Sequence, residues 1–168
     1  MKSQRLEDRV RRYLSLAGGD VNSTRFLGDG TDGAVWATKH DTAIKAFDYL
    51  QGYCNERDSY LRLAEYGVTQ RIEGFSIPAM LDCSDDLMVI EMDFMQRPPY
   101  IIDFAKVRID RPPDFSEDVL KQNERDGWER FEGNWPKVKK LLAALESYQI
   151  YYLDPQPHNI VFPAAAEV

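Results

Sequence analysis

Residues 25–47, RFLGDGTDGAVWATKHDTAIKAF, carry three β-type runs at 25–30, 34–38 and 42–47. The connections between them are a few residues long, and a parallel crossover takes about a dozen or more, so these strands must run antiparallel. The KHD segment between the second and third runs reads as a hairpin turn. Two further runs, SIPAML at 76–81 and LMVIEM at 87–92, flank the turn-rich DCSDD and bring the set to five. A helix is expected in between, within QGYCNERDSYLRLAEYG, because Glu56, Tyr60 and Leu63 share a face and Gly67 supplies a stop. The chain is therefore α+β, with five strands and one inserted helix.

Outside the sheet the pattern turns helical. Leu6, Val10 and Leu14, with Tyr13 beside them, mark an amphipathic helix within residues 1–20, stopped by Gly18 and Gly19. QRPPY, at 96–100, is a proline break that divides residues 21–95 from residues 96–168. Residues 103–133 read as loop plus irregular helix. NWPKVKKLLAALESYQI offers Asn134 as a cap, a proline in the first turn, and Val138, Leu141, Leu142 and Leu145 on one face.

The 168 residues are 43% hydrophobic, enough for a real core, and carry a net charge of −7. That charge argues against nucleic acid as the main partner, since phosphate backbones are bound by dense basic fields. No apolar run approaches the roughly 18 residues of a membrane span, and the charged MKSQRLEDRVRRYL start lacks a secretory apolar region. With two cysteines, Cys54 and Cys83, the expectation is a cytoplasmic protein with reduced thiols.

Gly28, Gly30 and Gly33 stand in G-x-G-x-x-G spacing, Lys45 follows on the next strand but one, and Asp154 and Asn159 sit in YYLDPQPHNIVF. Taken singly, each has a plain reading: a glycine hairpin, an edge-strand lysine, an aspartate opening a turn. Taken in order across residues 22–162, they resemble the protein kinase-like fold. The resemblance implies that Gly28, Gly30 and Gly33 cover ATP phosphates and that Val35 packs on adenine. Lys45 would reach phosphate oxygens, aligned by Glu56, with Glu65 as the second choice. Ile90 would take the gatekeeper position, and the backbone of Glu91 and Met92 would meet the adenine edge. Asp154 would orient or deprotonate an acceptor hydroxyl, and Asn159 would ligate Mg²⁺. The resemblance also implies that residues 21–95 form an N-lobe with a five-stranded antiparallel sheet and one inserted helix, and residues 96–168 a reduced, mostly helical C-lobe with a catalytic-loop-like segment at 151–162.

Several features depart from the pattern. Tyr152 and Leu153 replace the His-Arg before the aspartate, and Gln156 replaces the lysine two residues after it. No Asp-Phe-Gly follows Asn159 in the residues to Val168, which implies a truncated lobe holding Mg²⁺ weakly. Asp103-Phe104-Ala105 has the composition of that motif but precedes the catalytic loop. It would either fold back and lend Asp103 as a metal carboxylate, or cap a helix. The implied function is ATP binding with phosphoryl transfer to a protein or small-molecule hydroxyl. The alternatives are a catalytically inactive pseudokinase or an interaction domain, including one that pairs with a second copy of itself.

Overall fold

The computed structural model describes residues 2–94 and 97–164, so Gln96, which opens the expected proline break, lies outside the described residues. The chain begins with α1 (Lys2–Leu16), β1 (Arg25–Asp29), β2 (Gly33–Ala37), β3 (Thr42–Phe47) and α2 (Leu50–Glu65). It continues with β4 (Arg71–Ile72), β5 (Phe75–Ser76), β6 (Met80–Ser84) and β7 (Val89–Asp93). Next come β8 (Tyr100–Ile101), β9 (Val107–Ile109), α3 (Glu117–Phe131) and α4 (Trp135–Ser147). The last strands are β10 (Ile150–Tyr152) and β11 (Ile160–Val161).

The main sheet has strand order β1-β2-β3-β7-β6 and is antiparallel throughout. Its two faces do different jobs because side chains alternate along each strand. On the back face, Leu6, Val10, Tyr13 and Leu14 of α1 pack against Ala34, Trp36, Ile44, Ala46 and Val89. Each large apolar side chain buried this way contributes roughly 1.5–3 kcal/mol. The front face carries Ala43, Lys45 and Phe47 toward α2 and the lower part of the molecule. Gly33 is needed for β2 to approach β3, since a Cβ there would lie 2.1 Å from the Ala46 carbonyl oxygen.

Below the sheet, α3 and α4 support two small sheets built from distant segments. β9 pairs antiparallel with β10, and β8 lies between β5 and β11. One apolar cluster runs from Phe47, Leu63 and Ile90 through Ile101 and Phe104 to Leu141, Ile150 and Ile160. The sheet and the lower layer therefore share a core. Among the described residues no helix is long and apolar enough to cross a membrane.

Three local expectations are corrected. The fourth strand of the main sheet is Met80–Ser84, so most of DCSDD is strand and the turn is shorter. Pro78 lacks an N–H and breaks the run, while Ser76 joins β5 in the lower sheet. Residues 117–131 form a regular helix, started by Ser116, whose Oγ accepts the Val119 N–H at 3.4 Å. Asn134 does not cap α4: it ends a short 3₁₀ turn with helical backbone angles and makes no capping bond.

Candidate active site

A cavity of about 760 Å³ opens between the front of the main sheet and the short strands below. Leu27, Val35, Ala43, Met92 and Phe94 give it apolar walls, and Gly28, Gly30 and Gly33 form its upper rim. Lys45, Asp103, Asp154 and Asn159 all line it. The structure thus collects in one cleft residues that the chain spreads across more than a hundred positions.

Lys45 is the centre of the charge arrangement. Its Nζ donates to Glu56 Oε2 at 2.6 Å and to Asp103 Oδ1 at 3.3 Å. Burial works against the charged ammonium, but Glu56 and Asp103 outweigh it and hold its pKa above the ordinary value. Glu56 is fully buried on α2, and burial pushes its carboxyl up to about 7 against the opposing pull of Lys45. Asp103 is also desolvated, yet Lys45 and the Ala105 N–H more than compensate and keep its pKa below the usual carboxylate range. Glu65, at the last position of α2, is exposed.

Asp103 reaches the cleft because strands pair by position in space, whatever their order along the chain. β8 lies antiparallel to β11, with Ile101 opposite Ile160, and the Ile102 N–H donates to the Asn159 carbonyl at 3.1 Å. Asp103 caps no helix: its Oδ1 accepts the Ala105 N–H at 2.9 Å within a turn. Its Oδ2 accepts no hydrogen bond among the described residues. Tyr152, read from the sequence as the loss of a histidine, donates its hydroxyl to the Asp103 carbonyl at 2.5 Å and ties the two loops together.

Asp154 is half exposed, and its Oδ1 accepts Gln156 Nε2 at 2.7 Å and Arg130 Nη1 at 3.1 Å. Arg130, on α3, has no signal in the sequence because only the docking of α3 brings it near. Lys106 and His158 also line the cleft and were not anticipated there. Lys106 lies three residues beyond Asp103, close enough to the Asp-Phe-Ala segment to have been considered.

Two of the expected nucleotide contacts, Ile90 and Glu91, are absent from the cavity lining. Ile90 is fully buried in the core and Glu91 points to the back face, where it accepts Thr42 Oγ1 at 2.7 Å and the Tyr13 hydroxyl at 2.9 Å. Met92, the third expected contact, lines the cleft edge together with Asp93 and Phe94. The Gly30 N–H donates to the Gly33 carbonyl at 2.9 Å and closes its own turn.

Among the described residues there is no cluster of three or more His, Cys, Asp or Glu that could hold a metal ion. A divalent cation here would take a carboxylate from Asp103, an amide oxygen from Asn159, and its other oxygens from a bound phosphate and water. That oxygen set fits Mg²⁺.

No protein-family model matches the sequence and no curated protein matches it. Two of the solved structures that align with the chain are as follows. A streptomycin–ATP–APH(2'')-IIa ternary complex aligns with 12% identity and a TM-score of 0.41, over 81% of this chain and 41% of that one. The ADP-bound aminoglycoside phosphotransferase APH(2'')-Ib aligns with 14% identity and a TM-score of 0.44, over 90% of this chain and 41% of that one. The chain thus spans about two fifths of the length of either, and likeness of this degree leaves the functional reading to the residues themselves.

Proposed function

We propose that this chain is an ATP-dependent phosphotransferase of protein kinase-like fold whose parts follow one another in an altered order. The observation that carries the reading is the triad at Lys45. Its ammonium sits between a glutamate from the helix after β3 and the aspartate of Asp103-Phe104-Ala105, in the same cleft as Asp154 and Asn159. In the ordinary order the Asp-Phe-Gly segment follows the catalytic loop. Here β8, Asp103 and β9 precede α3, α4 and the catalytic-loop segment, and pairing with β11 and β10 returns them to it. On this reading the second metal carboxylate is relocated to Asp103, the first of the two alternatives the sequence leaves open for that residue.

The roles follow from the geometry. Leu27, Val35 and Met92 enclose the base, as apolar walls do in most small-ligand clefts. Lys45 contacts phosphate oxygens, and Glu56 keeps its ammonium charged and aimed. Asp103 and Asn159 hold Mg²⁺, which when bound neutralises phosphate charge and orients the transferred group. Arg130 and Gln156 both bond Asp154 Oδ1, which leaves Oδ2 to orient the acceptor hydroxyl. Tyr152 is a positioning residue that fixes the Asp103 loop against the catalytic loop.

The test is a thermal-shift and calorimetric titration with ATP, with and without Mg²⁺, on the wild type and on Asp103→Asn. The reading requires stabilisation that depends on Mg²⁺ and is lost in the variant. No stabilisation at millimolar Mg·ATP removes it. A second reading, nucleotide binding without transfer, is favoured by the Arg130 contact on Asp154. Mg·ATP binding with no ADP production over a panel of hydroxyl acceptors, in both wild type and Arg130→Ala, would select it.

A further inference from the structure

Among the described residues, five aspartates and two lysines line the cleft, an unfavourable balance for a polyphosphate. One of the two lysines, Lys45, already has its charge compensated by Glu56 and Asp103 at hydrogen-bonding distance. Gln156, beside Asp154, is neutral. Lys106 differs from both. Its side chain is 54% exposed, and its ammonium lies 3.9 Å from Asp32 Oδ2. Among the described residues it makes no hydrogen bond.

The two partners are anchored on opposite lips of the cleft. Asp32 belongs to the glycine turn, where its Oδ1 accepts the Tyr49 hydroxyl at 2.6 Å and its carbonyl accepts the Asp48 N–H at 2.9 Å. Lys106 follows Ala105, whose N–H is bound to Asp103, and directly precedes β9. Its backbone is therefore held on both sides, while its long side chain remains free to turn. At 3.9 Å, with the lysine half exposed although Asp32 is largely buried, the ion pair is weak. A phosphate presents more charge and several acceptor oxygens to the same ammonium.

Resting on the nucleotide reading above, we propose that Lys106 is a phosphate-binding residue that leaves Asp32 for the terminal phosphate of a nucleoside triphosphate. It supplies from the segment after Asp103 the mobile positive charge that Gln156 lacks. Asp32 is the competing anion: it parks Lys106 across the mouth of the empty cleft and opposes the incoming phosphates.

The experiment is isothermal titration of Mg·ATP, Mg·ADP and adenosine into wild type, Lys106→Met and Asp32→Asn, with Lys106→Gln as a polar second variant. Loss of one charge-assisted contact predicts about tenfold weaker Mg·ATP binding in both Lys106 variants. Adenosine affinity should stay within about twofold, since the contact is to phosphate. Asp32→Asn should tighten Mg·ATP. Unchanged Mg·ATP affinity in the Lys106 variants, or an equal loss for ATP and adenosine, overturns the role of Lys106 and leaves the nucleotide reading standing. Weaker Mg·ATP binding in Asp32→Asn overturns the competition. Failure of the wild type to bind any of the three ligands overturns both the nucleotide reading and this inference.

Discussion

In the main sheet, β2 and β3 meet across five residue pairs and are joined by a short turn. Below it, β8 and β11 meet across two pairs, and both long helices of the lower layer lie between them in the chain. The first kind of pairing largely holds itself through a ladder and local closure. The second depends on the side chains around it: Ile101, Ile150 and Ile160 are fully buried and Val107 nearly so. Asp103, Asp154 and Asn159 all sit just beyond the ends of these short strands. The lower layer, with the weaker backbone pairing, thus carries most of the chemistry, and packing keeps it in register with Lys45 above.

The largest effect should come from cutting the link between the two regions. Lys45→Ala is expected to weaken Mg·ATP binding by roughly a hundredfold or more and to reduce any phosphoryl transfer by a similar or larger factor. It should also destabilise the fold by about 3 kcal/mol, because Glu56 is left buried without its partner. Retention of wild-type affinity by calorimetry would falsify the placement of Lys45 at the phosphates.

Ile101→Ala and Ile44→Ala compare the regions directly. Both side chains are fully buried, and each truncation should cost about 3 kcal/mol in denaturant unfolding. Only Ile101→Ala should also weaken Mg·ATP beyond its effect on stability, because Ile101 positions Asp103. Equal nucleotide affinities at a temperature where both variants are folded would show that the short strands do not set the site.

The third expectation concerns pH. Glu56 loses its charge below about 7, so its grip on Lys45, and with it Mg·ATP affinity, should fall by up to about tenfold per unit on further acidification. Glu56→Gln should lack this dependence in calorimetry. Its contribution to folding has the opposite sign. A raised folded pKa stabilises below the ordinary value of 4.5, and that stability is lost as pH rises through about 7. Asp103, held low, adds stability above its ordinary value of 3.8 and loses it as pH falls.

The smallest effect should be that of Ser116→Ala, which removes the cap of α3. The expected loss is about 1 kcal/mol in thermal or chemical unfolding, with Mg·ATP affinity unchanged. A change in affinity would mean that the start of α3 is coupled to Asp154 through Arg130.

Much of the main sheet could be read from the letters because its determinants are local. Short connections force antiparallel strands, and the 3.6-residue period aligns Glu56, Tyr60 and Leu63 on the buried face of α2. The boundaries of β6 were not legible, since the Tyr13 hydroxyl that bonds Asp82 comes from the far end of the chain. The regularity and extent of α3 were not legible because only Gly127 and Phe131 are buried along it, so it has almost no apolar period to detect.

By itself the sequence determined an α+β chain with an antiparallel sheet, an inserted helix and a set of chemically suitable residues. Those features depend on neighbours within a few residues of one another. Only the tertiary structure decided that Asp103 joins Lys45 and Glu56, that Tyr152 binds the Asp103 loop, and that Lys106 faces Asp32. These contacts depend on strand pairings across long stretches of chain, and packing in three dimensions is indifferent to the order in which the paired segments occur.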